Sequence, residues 1–285
     1  MRKGLSVAIA VALFSGCVPA HKVVVKRRVK IGIVPKFSLH AMERRYRPLW
    51  DYLSRETGFV IEPVSGANYE AFLSSIEAVK AEVSFVNGLF YSILTKTRRA
   101  RAIAVVLGPD GGRTSRGVII SRVDKGIESV SDLRGKTVAV PSRKSVLGYL
   151  AQCVLCQEYG LLPDKDFTVV VGRNHDFVAI DVWRGRVDAG FVDEATLEEV
   201  AEVVDLGEIR VVARTDPYPN WCVVAFPESD PEVVRRVRVA LLALSPYNSE
   251  HRAILSRMGV SGFGEPLPGE YAEVRRAMAL LQLPY

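Results

Sequence analysis

The chain has 285 residues, of which 48% are hydrophobic and 25% are charged. This balance is typical of a globular protein and excludes a disordered or collagen-like chain. The formal charge of +6 is modest for this length, and residues of both signs are interspersed, which does not favour a nucleic-acid-binding protein. No run of eighteen apolar residues occurs after residue 20, so the body of the chain is predicted to contain no membrane span.

The N-terminal residues predict export from the cytoplasm. Two basic residues precede a short apolar stretch, and residues 1–16 together have the pattern of a signal peptide. Small residues then stand directly before Cys17, an arrangement that resembles the lipobox of bacterial lipoproteins and implies lipidation of this cysteine. The alternative is a plain secretory peptide cut near Ala20. Residues 17–28 are expected to form a tether, whose basic side chains either are solvated or lie against anionic lipid.

From residue 29 onward the pattern alternates between strands and helices. Apolar alternation predicts a strand over 29–34, and apolar spacing of three and four predicts a helix over 40–57 that ends at Gly58. Further strands are expected at 59–64, 83–86, 102–107, 117–121, 136–140, 167–171, 187–192, 209–213 and 221–226. Further helices are expected after Asn68, after Asn87 and Gly88, and at 145–159, 177–184, 197–203, 231–244, 251–258 and 269–282. This order predicts an α/β fold with mainly parallel sheets flanked by helices.

Several stretches, in this order along the chain, resemble the phosphate, phosphite and phosphonate-type substrate-binding proteins of ABC importers. They are PLWDYL at 48–53, ANYE at 67–70, VSFVNGLFY at 83–91, SDLRGKTVA at 131–139, and NH at 174–175 with VWRGRVDA at 182–189. The resemblance covers nearly the whole chain after residue 28. It implies the two-lobed type II periplasmic-binding-protein fold, in which two strands cross between the lobes. Lobe 1 is expected at 29–115 plus 226–285 and lobe 2 at 116–225, with crossings near Gly117 and Val223.

A ligand is expected between the lobes, outside the carboxyl ends of the strands. The helix that begins at Ser145 has unpaired N–H groups at its start, which favour an anion. Family members have three hydroxyl side chains at this corner, whereas this chain has Ser145, Val146 and Leu147. Arg143 and Lys144 would then supply positive charge to the ligand. The alternative is that Ser145 only caps the helix and that both basic side chains point to water.

The resemblance implies further ligand contacts elsewhere in the chain. His175 occupies the position of the family's ligand histidine, and Tyr69 that of a tyrosine that donates its phenol to the ligand. The alternatives are a histidine that orders a loop and a tyrosine that packs at a helix start. The second pocket tyrosine of the family corresponds to Thr114. Asp193 is expected to orient a donor, because a carboxylate beside an oxyanion would repel it. Trp221 stands where some members have an acid, which predicts a less polar cleft.

These features predict an exported solute-binding lipoprotein, not an enzyme, that captures a small phosphonate-like, phosphite-like or phosphate-like oxyanion for an ABC permease. It is expected to be a monomer, held to the membrane only by its lipid, with no cofactor, metal or nucleic-acid partner. The alternative is a sensing module that presents its bound state to a sensor kinase.

The cysteines leave a further alternative open. Cys153, Cys156 and Cys222 are expected to pack as small buried hydrophobic residues. A branch of the family that this chain resembles senses arsenite through a pocket cysteine, and Cys222 is the best candidate for such a cysteine. An enzyme that uses Cys222 as nucleophile and His175 as base would lack an orienting third residue.

Overall fold

The structure is a computed structural model that describes residues 26–283. The predicted signal peptide, the lipidation site at Cys17 and the tether as far as residue 25 lie outside the described residues. Two larger sheets, each flanked by helices, form two lobes, and a sheet of two short strands lies between them. None of the helices in the described part of the chain is both long and apolar enough to cross a membrane.

Strands and helices alternate along most of the chain. The strands are β1 (Arg28–Ile33), β2 (Val60–Val64), β3 (Val83–Val86), β4 (Arg101–Leu107), β5 (Thr114–Ser115), β6 (Gly117–Arg122), β7 (Thr137–Val140), β8 (Thr168–Val171), β9 (Ala189–Asp193), β10 (Ile209–Arg214), β11 (Tyr218–Pro219), β12 (Cys222–Ala225) and β13 (Gly262–Gly264). The α-helices are α1 (Leu39–Thr57), α2 (Tyr69–Ala78), α3 (Gly88–Arg98), α4 (Ala151–Glu158), α5 (His175–Trp183), α6 (Ala195–Val200), α7 (Pro231–Ala243), α8 (Ser249–Met258) and α9 (Ala272–Leu280). A π-helix, Val146–Leu150, directly precedes α4.

The two larger sheets confirm the predicted two-lobed α/β fold. The first sheet has the order β13-β4-β12-β3-β1-β2, in which β1 is parallel to β2 and β3 and β12 is antiparallel to β3 and β4. The second sheet has the order β10-β6-β9-β7-β8, in which β7 is parallel to β8 and β9. Segments that follow β1, β3, β7 and β9 meet between the lobes, where their side chains line one cavity. This is the strand edge at which the sequence predicted a ligand.

The chain crosses between the lobes through β5 and β11, which pair antiparallel with Thr114 opposite Pro219. The predicted return crossing near Val223 is therefore displaced. In the structure β12 lies between β3 and β4, so the chain returns to the first sheet at Cys222 and not after residue 225. All four residues of β12 are buried, as a central strand covered on both faces requires.

Each lobe has its own hydrophobic core. In the first lobe, α1 packs Leu49 and Leu53 against the sheet and α7, and Ser38 and Gly58 cap its two ends. Gly58 has a φ of 75°, the left-handed conformation that favours glycine at a helix end. In the second lobe, Cys153 and Cys156 belong to the core and are fully buried. These two cysteines pack as the sequence predicted.

The last residues of the predicted tether are already part of the folded lobe. Arg27 forms ion pairs with Glu82 and Asp230, and Arg28 begins β1 and pairs with Glu62. These two guanidinium groups are thus engaged by acidic side chains of the first lobe.

A buried glutamine attaches the π-helix to the second sheet. The Gln152 side-chain nitrogen donates to the carbonyl oxygens of Leu147 at 2.8 Å, Val192 at 3.1 Å and Val118 at 3.3 Å. Gly117 provides the space, because a Cβ at this position would lie 2.4 Å from that nitrogen. The Gln152 side chain therefore holds the start of the π-helix and the end of β9 together.

We expect Gln152→Leu to lower the free energy of unfolding by about 1–3 kcal/mol, because it leaves buried carbonyl groups without a donor. Urea denaturation of the purified protein measures this change. Gln157→Leu is the matched control on the same helix, since the Gln157 side-chain oxygen has no hydrogen-bond partner among residues 26–283. Equal effects of the two substitutions would contradict the role given to Gln152.

Candidate functional site

A small cavity lies between the lobes and is lined from both sides. Its lining residues are Lys36, Tyr69, Asn87, Ser145, Val146, Leu147, His175, Asp193, Pro219 and Trp221. The free volume is about 10 Å³, which is roughly the space of one water molecule. The cleft is thus closed in this structure, and the polar side chains of the two lobes contact one another. We call this cavity the inner pocket.

The start of the π-helix presents unpaired amides to the inner pocket. The first amide bonded within the helix is that of Leu150, which donates to the carbonyl oxygen of Ser145 at 3.0 Å. The amides of Val146 and Leu147 precede it and therefore have no acceptor within the helix. The Ser145 hydroxyl makes no capping hydrogen bond. The alternative that Ser145 only caps the helix is therefore wrong for its side chain, which faces His175 instead.

His175 is a neutral hydrogen-bond donor in the inner pocket. It is the first residue of α5, two residues earlier than the predicted helix start, because Asn174 in an extended conformation ends the preceding loop. Its Nδ1 accepts from the backbone N–H of Asp193 at 3.0 Å, and its Nε2 lies 3.2 Å from the Ser145 Oγ. Burial, followed by the nearby charge of Lys36, lowers the pKa of His175 to about 3. The neutral ring therefore carries its proton on Nε2, towards Ser145.

Gly148 allows the helix start and the histidine to approach this closely. A Cβ at Gly148 would lie 2.7 Å from the His175 Cε1 and 2.5 Å from the Pro141 Cγ. Neither atom belongs to the end of a flexible side chain, so any larger residue would push the helix away from the ring. Glycine at this position is thus a geometric requirement of the site.

A buried ion pair joins the two lobes across the inner pocket. The Lys36 Nζ, just after β1, lies 2.9 Å from Oδ2 of Asp193, the last residue of β9, and the side chains are only 15% and 9% exposed. Burial disfavours the charge on each, but their mutual attraction outweighs it, so the pKa of Lys36 is raised and that of Asp193 is lowered. Asp193 therefore holds the Lys36 ammonium at the inner pocket, and its role towards a ligand stays a prediction. Lys36 itself was missed, although its position directly after a predicted strand was an available signal.

Tyr69 and Asn87 complete the first-lobe side of the inner pocket. Tyr69 begins α2 and is almost completely buried. Burial raises the pKa of its phenol, and a hydrogen bond with the Ser145 hydroxyl partly offsets this rise. The Asn87 side-chain oxygen caps α3 by accepting from the Phe90 amide, and its nitrogen donates to the Lys144 carbonyl oxygen at 3.0 Å across the cleft. From the sequence, Asn87 was expected only to precede a helix.

Three predicted contacts do not lie at the inner pocket. The Arg143 guanidinium donates to the Tyr149 hydroxyl at 2.7 Å and pairs with Asp164, which holds it within the second lobe. Lys144 meets the first lobe through its backbone carbonyl, and its side chain is not among those lining the pocket. Thr114 is exposed on β5, because side chains alternate along a strand and the neighbouring Ser115 is the one turned towards the cleft.

Cys222 is buried in the first lobe and is not among the residues that line the inner pocket. Burial raises the pKa of its thiol to about 12, which removes the thiolate that a nucleophile or soft-anion ligand requires. No group of three or more potential metal-binding side chains occurs in the described part of the chain.

Burial of neutral His175 predicts destabilisation in acid. The imidazole titrates near pH 6.5 in the unfolded chain but near pH 3 in the folded protein, so its contribution to stability is complete above about pH 6.5 and is lost as the pH falls towards 3. We expect the difference in free energy of unfolding between the wild type and His175→Gln to shrink between pH 7 and pH 4. Urea denaturation at each pH measures it, with the exposed His40→Gln as control. A difference that stays constant over this range would contradict the buried neutral state.

A family model described as "ABC transporter, phosphonate, periplasmic substrate-binding protein" matches residues 31–271. Solved structures share the fold over most of the chain. A binding protein component of an ABC phosphonate transporter from Pseudomonas aeruginosa superposes with a TM-score of 0.83 at 16% identity, covering 90% of this chain and 87% of that one. PhnD1 from Prochlorococcus marinus, in complex with methylphosphonate, superposes with a TM-score of 0.81 at 16% identity, covering 90% and 98%. At these identities the two structures show the fold alone.

One relative is named as a sensor kinase and not as a transport protein. The tetrathionate sensor histidine kinase TtrS of Salmonella typhimurium is 28% identical over 161 residues, which cover 52% of this chain and 26% of the kinase. The match spans about a quarter of the length of this curated relative.

Proposed function

Because the chain belongs to the family of periplasmic substrate-binding proteins of ABC phosphonate transporters, we propose that it captures a small phosphonate-like oxyanion between its lobes for import. The family consists of transport proteins and not of enzymes. The observation that carries the proposal is the convergence of hydrogen-bond donors in the inner pocket. The amides of Val146 and Leu147, the Ser145 hydroxyl, the His175 Nε2 and the Lys36 ammonium all lie at its wall.

These donors suit an oxyanion for a chemical reason. Each oxygen of a phosphonate or phosphate accepts hydrogen bonds, and bonds to a charged acceptor are the strong ones. The donors come from the second lobe through the helix start and α5, and from the first lobe through Lys36 and Tyr69. A tetrahedral anion that accepts from both sides therefore stabilises the closed arrangement of the lobes.

Entry of the ligand requires the lobes to separate, because the closed inner pocket has space for about one water molecule. Polar contacts between the lobes would have to break. They include Lys36–Asp193 at 2.9 Å, Arg45–Glu199 at 2.6 Å, Ser142–Glu70 at 2.6 Å and Asn87–Lys144 at 3.0 Å. On closure the Lys36 ammonium, which has three donors, can keep its bond to Asp193 and also donate to the anion.

Binding is tested by isothermal titration calorimetry with methylphosphonate, phosphite, phosphate, sulfate and tetrathionate. We expect a phosphorus oxyanion to bind, and we expect Ser145→Ala and Lys36→Gln each to weaken it about ten- to hundredfold, since a hydrogen bond to a charged group contributes about 1.5–3 kcal/mol. Arg143→Gln is the matched control, because this basic side chain is held by Tyr149 and Asp164 and should leave the affinity unchanged. Absence of binding by every phosphorus oxyanion would overturn the proposal.

We also propose that the protein is a monomeric lipoprotein attached through Cys17 on the outer side of the cytoplasmic membrane or on the cell surface. The sequence directly before this cysteine supports the proposal. Cys17→Ser should move the protein from the membrane fraction to the soluble fraction of the cells that express it, whereas Cys222→Ser, at a buried thiol, should not. Membrane association that survives Cys17→Ser would contradict the lipid anchor.

A second candidate function is a sensing module that acts on a sensor kinase, and the partial match to TtrS favours it. The two functions differ in what the cell loses. Deletion of the gene should abolish ligand uptake in the first case, whereas in the second it should leave uptake intact and abolish a transcriptional response to the ligand.

A further inference from the structure

A second and larger cavity, called the outer chamber here, opens beside the inner pocket. Its volume is about 320 Å³, which lies within the range of small-molecule sites. Lys36, Leu147, Asp193 and Trp221 line both cavities, so the two are continuous at these side chains. A ligand whose anionic group fills the inner pocket would therefore extend into the outer chamber.

The walls of the outer chamber contain several apolar and aromatic side chains beside its charged ones. Phe37, Tyr46 and Met258 are buried side chains that line it. Trp221 and Val106 are only partly buried, and they pack against the hydrophobic core of the first lobe while they line the chamber. Flat aromatic walls and a flexible methionine suit an organic group better than solvent.

The ionic side chains at the chamber wall are already paired with one another. Lys36 contacts Asp193, and the Arg45 Nη1 contacts the Glu199 Oε1 at 2.6 Å, with both side chains 17% exposed. The remaining carboxylate of the described lining, Glu198, is exposed to solvent. No carboxylate of the described chamber wall is both shielded from solvent and without a cation partner, which favours an uncharged group over an ammonium.

Tyr46 adds an aromatic side chain to this wall. The residue is 9% exposed, and its ring stacks near that of Trp50 with the centroids 6.0 Å apart.

We propose that the outer chamber is a second subsite that receives an uncharged, largely apolar or aromatic substituent attached to the oxyanion. The ligand would then be an organophosphonate or a similar organic oxyanion, in preference to inorganic phosphate. The proposal rests on the proposed function, because the anionic group must occupy the inner pocket.

The test is a calorimetric series with inorganic phosphate, methylphosphonate, 2-aminoethylphosphonate and phenylphosphonate on the full chain without its first 17 residues. We expect phenylphosphonate to bind at least about tenfold more tightly than methylphosphonate, because its ring removes apolar surface from water in the chamber. We expect 2-aminoethylphosphonate to gain nothing over methylphosphonate, since its ammonium finds no free buried carboxylate there.

Filling the chamber should remove this preference. Met258→Trp is expected to abolish the advantage of phenylphosphonate while leaving the affinity for methylphosphonate unchanged, because Met258 lines the outer chamber and not the inner pocket. Val260→Phe, at a partly buried position of the same chamber, is the second variant should the first fail to fold.

The outcomes separate this inference from the proposed function. Binding of methylphosphonate without a gain for phenylphosphonate would overturn the subsite and leave the proposed function standing. A clear preference for 2-aminoethylphosphonate would overturn the uncharged substituent. Failure of every phosphonate to bind would overturn both proposals.

Discussion

The arrangement of the site depends on the ion pair between Lys36 and Asp193. It joins the first lobe to the second through side chains that are 15% and 9% exposed. Removing one partner of such a pair leaves an uncompensated buried charge, which costs about 3–5 kcal/mol. The pair therefore favours closed lobes, and it also leaves the inner pocket with no net charge from these two residues. The anion that we propose as ligand would then be bound by oriented donors and not by an excess of positive side chains.

Asp193 acts on the pocket a second time through its backbone. Its amide donates to the His175 Nδ1, which places the ring proton on Nε2 beside Ser145. The neighbouring helix start is fixed by Gly148, which permits contact with the ring, and by Gln152, which bonds the Leu147 carbonyl to the sheet. The donors of the second lobe are thus set by the end of β9 and by packing within that lobe, so binding would need little reorganisation inside it.

The sequence predicted the order of elements well because apolar periodicity records which face of each strand and helix is buried. It also predicted ligand contacts at Ser145, His175 and Asp193, which lie at or after strand ends within one lobe and line the inner pocket. The sequence did not point to Lys36 and Asn87. Each lines the inner pocket through a contact with the opposite lobe, and no local sequence pattern records such a contact. The prediction that Thr114 faces the cleft was wrong for a simpler reason. A shift of one residue along β5 exchanges the side chain that faces the cleft for one that faces solvent.

The closed arrangement of the lobes has a consequence for affinity. The contacts between the lobes stabilise a closed state whose inner pocket admits about one water molecule, so a ligand enters only the fraction of molecules that is open. In the closed complex, the ligand must then provide the stabilisation that those contacts between the lobes provided. An anionic group alone exchanges one set of hydrogen bonds for another. A substituent in the outer chamber would add burial of apolar surface that an anionic group alone does not provide, and discrimination among anions with the same headgroup would then depend on the chamber.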